Sequence, residues 1–401
     1  MKTKLTALII LTITALSVMA YPHFQATTIV PHMGLNPLDP AGQSSQQSKI
    51  EVVFVLDTTS SMSDMIEAAK EKIWSIASSM ASAQNSPEIK MGLVAFRDRG
   101  DRYVTKVIDL SSDLDSMYAS LMDYQAEGGG DGPESVNQAI YDAVHKISWS
   151  QDAQTYRVVF LLGDAPAHMD YQDDVPYPQT LAVAMQKGIK FNAIQCGQSS
   201  NTTSNWKQIA SLGGGLYFQV EQSGSAIAIS TPFDKQLAAL SGELDETKLY
   251  FGNEKEQIQQ QRKLAASSKL REDSSDEAMA RRVAFNTSAS GEKNFLGEGE
   301  LVDAIISGRV ELETIDNDKL PESLQALAPA AKMAVIEEKD ERRQKLKQDI
   351  LELSGKRSDY LKKEIAKVGG SKGSLDDSIY QAVRDQAAEK GLIYAEESAS
   401  Y

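Results

Sequence analysis

The sequence predicts an α/β fold: a doubly wound, mostly parallel six-stranded sheet with one antiparallel edge strand, followed by an α-rich C-terminal region. Six short apolar runs, at 50–56, 89–96, 103–110, 156–162, 189–195 and 216–220, have strand length, and most are separated by segments of helical periodicity. That alternation is the pattern of β-α-β units. The link between the second and third runs, Arg97-Asp-Arg-Gly-Asp-Arg102, is too short for a parallel crossover, so the third strand is expected as an antiparallel edge. Beyond about residue 231 strand patterns become scarce, and apolar residues recur at helical spacing.

The chain begins with Lys2 and Lys4, an apolar run over 5–16 and the small-residue ending Val18-Met19-Ala20. This is the layout of a signal peptide over 1–20, with the mature chain starting at Tyr21 and a secreted or periplasmic location. The run is shorter than the roughly 20 apolar residues a spanning helix needs. No later segment approaches that length, so no membrane span is expected after cleavage. Residues 21–48 hold four prolines and a Gln/Ser-rich end without a periodic apolar face, which reads as a linker. The expected organisation is then an α/β unit over 49–241 and a helical region over 242–401.

The first strand, Glu51-Val-Val-Phe-Val-Leu-Asp57, runs into Thr58-Thr59-Ser60-Ser61. It places one carboxylate and two hydroxyls, Asp57, Thr59 and Ser61, at alternate positions where the chain turns out of the sheet. Oxygen donors of this kind suit Mg²⁺, which keeps several waters and needs only one or two carboxylates; Mn²⁺ and Ca²⁺ are the alternatives. Two further acidic loops follow, Glu127-Gly-Gly-Gly-Asp131-Gly-Pro-Glu134-Ser135 before a helical pattern and Gly163-Asp164-Ala-Pro166 after the 156–162 run. In an open α/β sheet, loops at the carboxyl ends of strands converge at the topological switch point. Residues distant in sequence can therefore share one ion.

These three loops, in this order, resemble the metal-ion-dependent adhesion site of von Willebrand factor type A domains. The likeness is to the subgroup represented by hemicentins and many bacterial exported proteins, in which Gly-Gly-Gly-Asp-x-Pro-Glu and Gly/Thr-Asp-Ala-Pro-x-His occur together. Here those strings are Gly128 to Glu134 and Gly163 to His168. From Ile50 to about Gln222 the chain looks like a whole domain of this Rossmann-like type. The resemblance implies a divalent cation at Asp57, Thr59, Ser61, Asp131 and Asp164, with Asp164 acting through water or by orienting the groups on the ion. It also implies a non-enzymatic protein that binds a protein ligand, with an acidic side chain of that ligand on the ion, in protein–protein interaction or adhesion. The middle loop departs from the integrin-like pattern, which uses threonine where this chain offers Asp131, with Glu134 as the competing choice. An added carboxylate holds the cation more tightly and leaves it less positive toward an acidic partner.

His168 is expected to pack in its loop, since imidazole suits an oxygen-rich Mg²⁺ cradle poorly. The triplet Arg99-Gly100-Asp101 is read as a charged hairpin tip. Cys196 is the only cysteine and lies in a strand-like run, which predicts a buried thiol and excludes an intramolecular disulfide framework. An exported protein of this size without disulfides fits a bacterial source. The net charge of −15, with no basic patch interleaved with aromatics, argues against nucleic-acid binding.

In the helical region, Thr231-Pro232 reads as an N-cap and first-turn pair for Phe233, Leu237, Leu240 and Leu244. Leu346, Ile350, Leu353, Leu361 and Ile365 mark a second amphipathic helix, expected to be interrupted at Ser354-Gly355. Two other functional classes compete with cation-dependent binding. One is a structural envelope protein whose cation only stabilises the loops. The other is a metal-dependent phosphatase of the haloacid dehalogenase type, which begins with a similar strand-Asp motif but normally needs a second aspartate at position 59 for general acid work. A protease triad of Ser60 or Ser61 with His168 lacks a nucleophile-elbow pattern.

Overall fold

The computed structural model describes residues 48–130, 132–223, 229–367 and 374–394. The signal peptide expected over 1–20, the linker up to 47 and Asp131 lie outside the described residues. The strands are β1 (Lys49–Asp57), β2 (Glu88–Phe96), β3 (Thr105–Ser111), β4 (Tyr156–Gly163), β5 (Ile189–Cys196) and β6 (Gly214–Val220). They form one sheet in the order β3-β2-β1-β4-β5-β6, parallel throughout except for the antiparallel β2–β3 pair. All six strands fall where the apolar runs predict them, and the edge strand has the expected direction.

Both faces of the sheet are buried, which is why its strands read as continuous apolar runs. Along β1 the side chains alternate between two cores. Ile50, Val52, Phe54 and Leu56 face the first core, and Val53 and Val55 face the second. The first face is covered by α1 (Ser63–Ala81) and α2 (Leu114–Met122), the second by α3 (Val136–His145), α4 (Tyr177–Gln186) and α5 (Ser200–Leu212). Trp74 of α1 meets Tyr118 of α2 edge-on, with ring centroids 5.6 Å apart, in the geometry that aromatic quadrupoles favour.

The helical region comprises α6 (Asp234–Asp245), α7 (Glu254–Asp273), α8 (Asp276–Asn286), α9 (Glu292–Leu296), α10 (Leu301–Ile306), α11 (Glu322–Gln325), α12 (Pro329–Lys367) and α13 (Leu375–Ala387). The described residues form one compact unit. Leu375, Ile379 and Val383 of α13 belong to the same apolar cluster as Phe54 and Leu56, and Gln386 donates to Asn192 of β5 while accepting from the Tyr156 hydroxyl.

Buried charge also joins the two parts. Arg282 of α8 donates to both carboxylate oxygens of Asp115 on α2, each at 2.7 Å, and reaches Asp245 at 2.9 Å. These charges hold Asp115 well below the usual carboxylate range, against the burial that opposes its ionisation. Lys72 of α1 pairs with Asp376 at 2.8 Å. Removing one member of such a pair strands its partner in the interior, at a cost of about 3–5 kcal/mol.

One detail of the helical region differs from the sequence reading. α12 runs unbroken through Ser354-Gly355. A mid-helix glycine costs only about 1 kcal/mol relative to alanine. Burial of Ile350, Leu361 and Ile365 and the 2.6 Å Arg357–Asp234 ion pair flank it on the same helix. At the start of α6 the Thr231 hydroxyl accepts from the Phe233 N–H at 3.3 Å and the Thr231 N–H donates to the Asp234 side chain, a reciprocal cap around Pro232, and the regular helix begins at Asp234.

Candidate metal centre

β1 and β4 are neighbours on opposite sides of the point where the strand order reverses, so their carboxyl ends open onto one crevice. Asp57 is the last residue of β1, and Asp164 follows the last residue of β4. The backbone alternation after Asp57 divides the hydroxyls. Thr58 turns toward β2, donating to the Phe96 carbonyl and sharing a hydrogen bond with the Tyr103 hydroxyl. Thr59 turns back. Its Oγ1 and its N–H both donate to Asp57 Oδ1, at 2.6 and 2.9 Å, and its Oγ1 lies 3.4 Å from Ser61 Oγ. Ser61 Oγ donates in turn to Asp164 Oδ1 at 3.1 Å. Four of the five expected site residues thus form one connected chain of oxygens; the fifth, Asp131, is not among the described residues.

The strands hold this chain tightly. A Cβ on Gly163 would stand 3.0 Å from the Trp206 ring and 3.1 Å from Asp57 Cβ, so only glycine lets β4 pass this close. The middle loop is stitched to the β1 end: Ser60 donates from N–H and hydroxyl to the Gly128 carbonyl, and Glu127 N–H donates to the Thr58 carbonyl. Arg97 reinforces the seam by donating to the carbonyls of Thr58 and Gln125 and pairing with Glu127. Gly129 adopts φ of 78°, a left-handed conformation natural to glycine. A Cβ there would meet Thr59 at 3.2 Å and Glu134 Oε1 at 3.3 Å. Thr59 and the Glu134 carboxylate therefore flank the same glycine.

Glu134 is buried, and its Oε2 has no hydrogen-bond partner among the described residues. Its carboxyl is pushed up to about 9, by burial first and then by the negative charges of Asp57, Asp98, Asp101 and Asp164. Burial also pushes Asp57 up to about 7, against the pull of its two hydrogen bonds from Thr59. These are the signatures of carboxylates gathered without a counter-charge. The donors are all oxygens, and a buried carboxylate with an oxygen unpartnered among the described residues flanks Gly129 together with Thr59, so the residues present fit a hard divalent cation. No group of three or more His, Cys, Asp or Glu among the described residues is arranged to hold a metal by itself. The connected set is instead two carboxylates and two hydroxyls.

Other groups complete the neighbourhood. Gln222, just past β6, donates to Asp164 Oδ2 at 2.8 Å and to the Ser61 carbonyl at 2.9 Å. Its position past a strand's carboxyl end was the only sequence signal for it. Asp98 accepts from Ser135 and from the Tyr171 hydroxyl, behind the middle loop. His168 packs in its loop as expected: its ring stacks on Tyr171, with Nδ1 at 2.8 Å from Asp170 and Nε2 at 3.5 Å from Asp98. The Arg99-Gly100-Asp101 tip is engaged internally. Arg99 lies over the Tyr171 ring and pairs with Asp173 and Asp174, while Asp101 accepts from the Gly129 N–H. Cys196 is buried, and its thiol is raised by burial.

The enzyme alternatives find little here. Position 59 is a threonine donating to Asp57, so the second aspartate of the phosphatase motif is replaced by a hydroxyl. Ser60 and Ser61 donate to Gly128 and Asp164, and the His168 ring faces Asp98 and Asp170.

The family model of the von Willebrand factor A domain matches residues 51–231. No curated protein matches the chain. Among solved structures, the chain is similar to proximal thread matrix protein 1 from the mussel byssus with a zinc-occupied MIDAS motif, at 16% identity over 43% of this chain and TM-score 0.35. It spans 42% of that mussel protein. It is also similar to the conserved hypothetical protein BatB from Bacteroides thetaiotaomicron, at 19% identity over 44% of this chain and 93% of that one, TM-score 0.34. A third likeness, to the SpRpn10 VWA domain, has 14% identity over 44% of this chain and 89% of that one, TM-score 0.34.

Proposed function

We propose that the von Willebrand factor A domain over residues 51–231 binds a divalent cation at the β1–β4 crevice and uses that face to hold a protein partner, without catalysis. The observation that carries this reading is the buried Glu134 carboxylate, whose Oε2 has no hydrogen-bond partner among the described residues and which flanks Gly129 together with Thr59 of the Asp57–Thr59–Ser61–Asp164 chain of oxygens. Asp57, Thr59 and Ser61 would hold the ion, with Asp131 or Glu134 from the middle loop and Asp164 orienting its surroundings. The bound cation supplies positive charge and an oxygen-seeking coordination position. Ser61 is exposed and Asp164 half-buried, while Asp57 and Thr59 are buried. The crevice is therefore open on the side of the Ser61 and Asp164 oxygens, where a partner's carboxylate or carbonyl would enter. The surrounding loops, including the acidic 170–174 segment, would set selectivity through contacts that the ion does not make.

Export through the N-terminal signal peptide and a secreted or periplasmic location complete the proposal. In keeping with it, no helix among the described residues is long and apolar enough to cross a membrane. The test is affinity capture from envelope and secreted fractions, with Mg²⁺ and with chelator. The reading expects partners that are retained in Mg²⁺, lost in chelator and lost with Asp57→Ala. Partners unchanged in all three conditions would leave the cation a stabilising role only, as in the structural alternative.

A further inference from the structure

The helical region and α1 enclose a second feature, unrelated to the cation crevice. A cleft of about 260 Å³ is lined by Ser75 and Ser78 of α1, Arg281 of α8 and Ser354, Arg357 and Ser358 of α12, among others, and no Asp or Glu among the described residues lines it. This is unusual in a chain with 56 acidic against 41 basic residues. Both guanidiniums are almost fully buried, at 4% exposure each. Arg357 donates to Asp234 at 2.6 Å. Arg281 is held less well. It donates to the Glu71 backbone carbonyl, its closest approach to the Glu71 carboxylate is 3.8 Å, and its Nε has no hydrogen-bond partner among the described residues. The Ser354 hydroxyl is likewise buried and unpartnered there. Burial, and then the positive charge of Arg357, hold Arg281 below the usual guanidinium range, while Glu71, Asp234 and Asp376 oppose that from outside the lining.

Two like charges facing one cleft, with a spare N–H and a spare hydroxyl, call for an anion. A guanidinium offers planar, forked N–H donors that match tetrahedral oxyanions, and charge-assisted bonds of this kind are the strong ones. The cleft is far larger than the roughly 30 Å³ share of one water. From this geometry we infer that the α1–α8–α12 cleft is a binding site for a phosphate-class oxyanion, either the free ion or a small monoester.

The test is calorimetric titration of the full chain in chelator at constant ionic strength, which removes any effect of the cation crevice. Inorganic phosphate and O-phosphoserine are the probes, with chloride as control; their relative affinity distinguishes free ion from monoester. Saturable binding of either probe at millimolar or tighter concentration is expected. It should weaken by about tenfold or more in Arg281→Gln, which removes a charge-assisted donor. Ser358→Trp fills the exposed mouth while leaving both arginines in place, so it decides the matter if Arg281→Gln fails to fold; it too should abolish uptake. No saturable uptake of either probe, or uptake unchanged in folded Ser358→Trp, would overturn the assignment.

Discussion

Ser61 Oγ donates to Asp164 Oδ1 across 3.1 Å, joining the loop that leaves β1 to the loop that leaves β4. These are the two strands on either side of the switch point, so the bond ties together the two loops at the open side of the crevice in which Asp57 is buried.

Gly163→Ala should disturb the centre without replacing a proposed ligand. The added methyl would press on the fully buried Trp206 ring and on Asp57 Cβ. Overpacking of this kind costs about 1–3 kcal/mol, and the displaced Asp57 should weaken cation uptake. Denaturant melts paired with Mg²⁺ titration check both effects; an unchanged midpoint and affinity would mean the strands separate freely here.

In chelator, stability should fall as the pH rises from about 4 to about 9. Asp57 and Glu134 have ordinary values of 3.8 and 4.5 and are raised to about 7 and about 9 in the folded chain, by burial first in each case. Between the two values of each group the folded chain keeps a proton that the unfolded chain has lost. Unfolding then releases protons, and stability declines with rising pH. The contribution is fully present below pH 4 and is lost through pH 7 for Asp57 and pH 9 for Glu134. Thermal melts across that range should show the decline in wild type and a reduced slope in Asp57→Asn and Glu134→Gln. Saturating Mg²⁺ should counter it by favouring the ionised forms.

The middle-loop ligand is separable by substitution. Glu134→Gln preserves shape while removing the buried charge beside Thr59, and Asp131→Asn does the same for the other candidate. If Glu134 is the ligand, the first change should lower Mg²⁺ affinity by about tenfold or more and the second by much less. The reverse order would assign the role to Asp131. Asp131→Thr, which restores the integrin-like residue type, should then weaken the cation yet strengthen attachment to an acidic partner.

Residues 49–241 are proposed as the unit that carries the cation site, but its first face is completed by later helices. A fragment ending at 241 lacks Leu375, Ile379 and Val383 from the cluster around Phe54 and leaves Asp115 without Arg282. We expect the fragment to keep the sheet's circular dichroism, to bind an apolar dye and to unfold at lower denaturant than the full chain. Equal stability would show that the helices add nothing to the sheet.

The sheet was legible because its strands are buried on both faces and announce themselves as apolar runs between helical patterns. That the Asp57, Thr59, Ser61 and Asp164 oxygens meet has a related reason: strand ends fix where side chains emerge, and the alternation after Asp57 turns Thr59 back toward it and Thr58 toward β2. What the sequence concealed was long-range pairing. Gln222 reaches Asp164 from the far side of the sheet, and Arg282 meets Asp115 across 167 positions, with no local pattern to mark either. The unbroken α12 was misread at Gly355 because a local propensity of about 1 kcal/mol is outweighed by packing along the rest of a helix. The Arg281–Arg357 cleft likewise arises only when α8 and α12 are brought together over α1.

The central claim is that the crevice ending β1 and β4 holds one divalent cation through Asp57. Calorimetric titration of chelator-stripped wild type and Asp57→Ala with Mg²⁺ and Mn²⁺ tests it most directly, with circular dichroism confirming that both proteins are folded. Wild type should show a single saturable site that disappears in the variant, with proton release on binding near neutral pH because Asp57 and Glu134 must ionise. Equal uptake by the two proteins, or none by wild type, would contradict it.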